Sequence, residues 1–285
     1  MKSTLSAIIF TLIFSVCSFA QLTLPRESNR QEVSQTVGDT KVSIVYHRPN
    51  AKARKVWGKL VPYGEVWRTG ANDNTTFEVT NDVTINGQAL PKGKYGLHTI
   101  PNKKDWTIIF SKVNNEWGSF TYKEANDALR VKVMPTKVKM QETMSLGFGN
   151  VSANQTEVVI AWEKLKVGFA VNVGDVNSRV LTAIRAAIEA RKPEEARPLN
   201  QGAGFVLSNK LTANYDEAMS WLDKSISIKE TFGNLSSKAR LFGETGKVAD
   251  AIMFGEKAVM VGKAATPAVD TTDFEKTLSE WKVRR

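Results

Sequence analysis

Residues 75–100 read TTFEVTNDVTINGQALPKGKYGLHTI. Apolar and β-branched side chains alternate with polar ones up to Val79 and again from Val83 to Ile85, the period of a half-buried strand. Asn86-Gly87, directly after Ile85, is the dipeptide that tolerates positive φ at both central positions of a tight hairpin. Pro91 and Gly93 interrupt the chain before KYGLHTI resumes as a strand. Nothing in the stretch has a period near 3.6, so it predicts short antiparallel strands joined by tight turns.

The pattern extends in both directions. VSQTVGDTKVSIVYH (33–47) predicts a hairpin turning at Gly38-Asp39. Downstream, WTIIFS (106–111), ALRVKVMPTKV (128–138), ETMSLGFG (142–149), TEVVIAW (156–162) and LKVGFAVNV (165–173) read as strands, the last two joined tightly at Glu163-Lys164. About nine or ten strands with no helical pattern between them predict an all-β antiparallel sandwich over residues 21–173.

After Gly174 the period changes. NSRVLTAIRAAIEARK (177–192) puts Val180, Ile184, Ala187 and Ile188 on one helical face, and Pro193 ends it. NYDEAMSWLDKSI (214–226) then resembles GKVADAIMFGEKAV (246–259), with Ala218 and Ala251, and Lys224 and Lys257, each 33 residues apart. Residues 174–285 therefore read as an α-helical tetratricopeptide-like domain of helix–turn–helix units. A last helix over TTDFEKTLSEWKVRR caps the stack, with Asp270 or Thr271 at its N-terminus and basic residues at its end.

The first residues, MKSTLSAIIFTLIFSVCSFAQ, have the form of a secretory signal peptide cut after Ala20. Their apolar run is too short to span a bilayer. Cys17 is the only cysteine, so the mature chain has none and depends on its core alone. An exported location, periplasmic or secreted, follows, with no transmembrane segment. The formal net charge of the chain is +10, and residues 21–173 hold 21 basic against 14 acidic side chains. Export disfavours nucleic acid as the partner and points instead to anionic ligands or acidic glycans.

Much of the basic excess falls in VYHRPNAKARKVWGKLVPYGEVWRTGANDNTT (45–76), which has neither helical nor strand periodicity. Arg48, Arg54 and Arg68 offer planar forks that bind carboxylate, phosphate or sulfate bidentately. Trp57, Tyr63 and Trp67 offer flat faces for a sugar ring or for the guanidinium groups, and Asn72 a donor and an acceptor. These seven residues are the candidate site for an anionic or carbohydrate ligand. Stacked helical pairs present concave surfaces, so the helical part is the candidate site for a protein partner.

Other chemistries find less support. There is no GxSxG elbow, no GxxxxGK loop and no HExxH spacing. His47 and His98 read as strand residues with hydrogen-bonded rings rather than metal ligands, and no cofactor is implied. A glycan hydrolase using Glu65 and Asp73 is one alternative. A purely structural loop, with Trp57, Trp67 and the three arginines buried and mutually satisfied, is the other.

HRPNAKARKVWGKLVPYGEVWRTGANDNTT together with INGQALPKGKYGLHTIPNKKDWTIIFSKVNNEWG resembles an uncharacterised family of exported bacterial proteins, a domain of unknown function sometimes followed by a helical repeat tail. The resemblance covers about residues 25–172. The family's Arg-Pro falls on Arg48 and Pro49 and its next arginine on Arg54. Its long signature runs from Gly58 through Leu60–Gly64 and Val66–Asn72, and its third falls on Leu90, Pro91, Gly93 and Tyr95. The resemblance implies no activity. It does imply a glycine where this chain has Ala53, and so strain there if that position has positive φ.

Overall fold

The computed structural model describes residues 25–283; the expected signal peptide, its cut after Ala20 and Cys17 lie outside them. Strands β1 (Asn29–Val37) and β2 (Thr40–Arg48) form the first hairpin, with Val37 opposite Thr40 across Gly38-Asp39. Gly38 has φ +58°, and a Cβ there would meet the Val176 methyls at 2.5 and 2.8 Å, so both backbone and space require glycine. Strand β3 (Thr75–Val79) pairs with β2. Strands β4 (Val83–Ile85) and β5 (Gln88–Leu90) close around Asn86-Gly87, whose φ angles of +48° and +82° are the two positive values the turn needs. Then come β6 (Gly93–Ile100), β7 (Trp106–Ser111), β8 (Asp127–Val133), β9 (Thr136–Val151) and β10 (Gln155–Asn172).

These strands make two antiparallel sheets, ordered β1-β2-β3-β6-β7-β8 and β5-β4-β10-β9. Alternation decides which face is buried. Val42, Ile44 and Tyr46 of β2 and Val158, Ile160 and Trp162 of β10 point inward into one continuous core. Phe77 and Phe110 from one sheet meet Phe169 from the other edge to face, with centroids 5.1 to 6.0 Å apart. Removing each such ring from water stabilises by roughly 1.5–3 kcal/mol.

Two turns differ from the sequence reading. Glu163-Lys164 is no turn: β10 runs unbroken through it for 18 residues. Its register with β9 shifts on both sides of Glu163, which has φ +54°, so the irregularity is a bulge. The break comes instead at Met134-Pro135, between β8 and β9, where proline has no N–H for the ladder.

Six α-helices follow among the described residues: α1 (Val176–Ala190), α2 (Arg197–Ser208), α3 (Tyr215–Ile228), α4 (Phe232–Glu244), α5 (Val248–Ala264) and α6 (Thr272–Val283). Asp175 caps α1 by accepting from Ser178 N at 3.0 Å, and Thr231 and Asn234 form a reciprocal capping box on α4. Helix α1 buries Leu181 and packs Ile184 and Ile188, while Ala187 of the expected face is exposed. Helices α2 and α3 pack together, as do α4 and α5. The repeat-matched Ala218 and Ala251 are both fully buried, where a small side chain permits close helix approach. The Arg179 guanidinium joins this part to the first hairpin with a bidentate bond to Asp39 at 2.9 and 2.6 Å. No helix among the described residues is long and apolar enough to cross a membrane.

Candidate functional site

Residues 49–74 leave β2 and return as β3 without regular structure, yet the segment is stitched down on two sides. Ala51 N donates to Glu142 O at 2.8 Å and Met144 N to Pro49 O at 2.9 Å, which ties it to β9. Trp67 and Thr99 exchange backbone bonds of 2.8 Å, which ties it to β6. Such bonds answer the demand that a buried backbone be paired.

Four tryptophans cluster here, Trp57 and Trp67 of the segment itself with Trp106 of β7 and Trp162 of β10. Trp57, 5 % exposed, stands edge-on to Trp106 at 4.6 Å, Trp67 at 5.8 Å and Trp162 at 5.9 Å. Trp67 stacks on Trp162 at 5.9 Å and 21°. Trp67 Nε1 donates to Gly70 O at 3.0 Å and Trp162 Nε1 to Glu142 O at 3.1 Å. The indole N–H groups of Trp57 and Trp106 are buried without an acceptor among the described residues.

The backbone above is strained. Lys52, Ala53, Thr69 and Asn72 all have φ between +50° and +58°. Thr69 is β-branched and fully buried, held there by contacts from its Oγ1 to Trp67 O at 3.3 Å and Thr99 Oγ1 at 3.2 Å. Strain of about 1–3 kcal/mol per residue persists only where surroundings over-determine the conformation, and it gathers at functional sites. Ala53 is exposed at φ +56°, where the family resemblance implies glycine. Ala53→Gly is expected to raise the unfolding free energy by roughly 0.5–1 kcal/mol, the left-handed penalty less the entropy of glycine. Urea denaturation measures it, and an unchanged or lower value would remove the strain.

The three arginines divide. Arg48 Nε donates to Met144 O at 2.9 Å. Arg54 donates to Ala51 O at 3.0 Å and to Asn50 O at 2.8 Å. Arg54 thereby holds the loop's own backbone, whereas Arg48, at the end of β2, reaches across to β9. The Arg68 guanidinium makes no hydrogen bond or ion pair among the described residues, although the residue's carbonyl accepts from Thr75 N at 3.2 Å, and its Nε is sealed from solvent without a partner. Burial pulls its guanidinium below the ordinary arginine value.

Arg68 lines a cavity of about 260 Å³ with Arg54, Lys52, Glu27, Trp67 and Trp162. Glu27 is ion-paired to Lys52, and that bond, ahead of the nearby Arg54 charge, holds its carboxyl below the usual range. Of the seven residues singled out in the sequence, Arg54, Trp67 and Arg68 line this cavity, whereas Arg48, Trp57, Tyr63 and Asn72 do not. Arg48 and Trp57 are committed as described. Tyr63 is half-buried over Gly58, where a Cβ would lie 2.6 Å from its ring. Asn72 Nδ2 donates to Ser28 O at 3.2 Å. Sequence reasoning missed Glu27, Lys52 and Trp162 as cavity residues, although Lys52 falls within the same basic stretch.

The alternative carboxylates lie elsewhere. Asp73 accepts from Arg26 at 2.8 Å and stands 3.9 Å from His47 Nε2, and these two line a separate cavity of about 210 Å³. Glu65 is exposed and lines neither cavity. His98 is fully buried on β6, with Nδ1 3.2 Å from Ser119 Oγ and its ring 5.3 Å from Tyr122. Burial pushes its pKa down to about 4 against a weaker opposing pull from Glu116. Among the described residues no cluster of three His, Cys, Asp or Glu could hold a metal ion.

A family model described as a protein of unknown function (DUF2911) matches residues 28–171. No curated protein and no solved structure is detectably similar to the chain.

Proposed function

We propose that this chain, which belongs to the DUF2911 family, is an exported, non-catalytic binding protein whose Arg68 cavity holds a small anionic ligand. The observation that carries this reading is the Arg68 guanidinium, half-buried beside Trp67 with no acceptor among the described residues. A buried charge without a counter-charge is costly, and a bound carboxylate, phosphate or sulfate supplies one bidentately. The same reading takes the two sheets as the layers of one sandwich domain over residues 21–173. It takes residues 174–285 as a tetratricopeptide-like domain whose helical pairs hold a protein partner, which the paired packing of α2 with α3 and α4 with α5 supports.

The structural reading of the loop has its own support, because Arg54 spends its donors on the loop carbonyls of Ala51 and Asn50, and Arg48 spends one on the β9 carbonyl of Met144. One comparison separates the two. Wild type and Arg68→Met are melted with and without phosphate, sulfate, carboxylates and acidic and neutral saccharides at fixed ionic strength. Binding predicts that an anion stabilises the wild type only. It also predicts that Arg68→Met alone is within about 1 kcal/mol of wild type, or more stable, since an uncompensated charge is removed. A loss of several kcal/mol in the variant, with no anion shift in either protein, would establish the clamp.

A further inference from the structure

We infer that the cavity takes an acidic sugar residue, its carboxylate on Arg68 and its ring against Trp67, and that Glu27 is a tethered carboxylate which the ligand displaces. This inference rests on the anion reading of the same cavity and specifies its occupant.

Size comes first. About 260 Å³ falls below the range of roughly 300–1,000 Å³ typical of drug-sized ligands, so the occupant is small. The walls come second. Trp67 and Trp162 supply an aromatic side next to Leu60 and Val61, while Arg68, Arg54 and Lys52 supply cationic groups. A bare inorganic anion would leave the aromatic side unused, and a neutral sugar would leave Arg68 unpaired. A pyranose bearing a carboxylate meets both, with C–H bonds facing the indole and a planar acid facing the planar guanidinium.

The third observation is that the chain already places a carboxylate here. Residues 26–28 run past the cavity as a strap. Arg26 is fixed by Asp73 at 2.8 Å and lies 5.0 Å over the Trp117 ring, and Ser28 O is held by Asn72. Glu27 between them lines the cavity on Lys52 and within the field of Arg54. A carboxylate is therefore electrostatically matched to this site. Because the Glu27–Lys52 pair is exposed, displacing it costs little.

Calorimetric titration of the purified protein with glucuronate, glucose, acetate and phosphate at one ionic strength tests the inference. Glucuronate is expected to bind at least tenfold tighter than the other three. Arg68→Lys, which keeps the charge but loses the fork, weakens glucuronate at least tenfold. Glu27→Gln tightens it two- to fivefold, the displaced pair being worth about 0.4–1 kcal/mol. The methyl glycoside of glucuronate binding like the free acid identifies a chain end as the occupant, and its failure to bind identifies the free sugar; either upholds the inference. Phosphate or acetate binding as tightly as glucuronate overturns the sugar while leaving the anion reading intact. Absence of any anion binding removes both. Unchanged or weaker binding by Glu27→Gln overturns the role of the strap.

Discussion

Trp57→Ala is expected to lower the unfolding free energy by about 3–5 kcal/mol, the range for large-to-small change at a buried aromatic. Trp57 is the hub of the indole cluster, edge-on to three other rings, and the void left by alanine opens between both sheets and the 49–74 segment. Trp57→Phe is expected to lose less than half as much. It retains an aromatic ring, and the N–H it removes donates to nothing among the described residues. Trp162→Phe also forfeits the bond to Glu142 O and so falls further than Trp57→Phe by about 1 kcal/mol. Guanidinium denaturation followed by circular dichroism measures all three. A loss below about 1 kcal/mol in Trp57→Ala would take the cluster out of the cooperative core.

The second large effect is acid sensitivity. His98 has a folded pKa of about 4 against an ordinary value of 6.5. The folded state therefore prefers the neutral ring, while the unfolded chain takes up a proton as pH falls through 6.5. The stability tied to this group is fully present above pH 6.5 and is lost as pH drops toward 4, by roughly 3 kcal/mol in total. Carboxylates with depressed values, such as Asp39 and Glu217, lose their contribution lower, below their ordinary range. The loss of stability from about pH 6.5 to 5 is thus assigned to histidine, because Asp127, the one carboxyl among the described residues that burial pushes up, favours the folded state as pH falls. His47 is also depressed by burial and adds a smaller slope there. Denaturation of wild type, His98→Gln and His47→Gln across this interval separates them. The slope of wild type should flatten chiefly in His98→Gln; an equal slope in that variant would show that His98 is not the cause.

The sequence made the strands legible where local chemistry dictates them. Gly38-Asp39 and Asn86-Gly87 turn where they must, and WTIIFS is β7 to the residue. It misled where two signals look alike locally. Glu163-Lys164 has turn composition, but Trp162 and Val167 are both buried against the core, and only pairing with β9 shows that a bulge joins them. Pro135 was the stronger punctuation. In the candidate site, side-chain type was readable and allegiance was not. Arg48, Arg54 and Arg68 are chemically identical, and what divides them is the position of carbonyls from Met144, Ala51 and Asn50. Glu27 and Trp162 reach the same cavity from far apart in the chain, a relation that no short window contains.

The four indoles have an optical consequence. Chromophores 4.6 to 5.9 Å apart do not absorb and emit independently: their transitions mix, and excitation passes among them before any photon leaves. Emission from the cluster is then a collective property of Trp57, Trp67, Trp106 and Trp162, set apart from the separate indoles of Trp117, Trp221 and Trp281, and the near-ultraviolet dichroism carries the sign of their mutual orientation. Two of the four face the cavity. Occupancy of that cavity is thereby written into the intrinsic spectrum of the protein, and no attached dye is needed to read it.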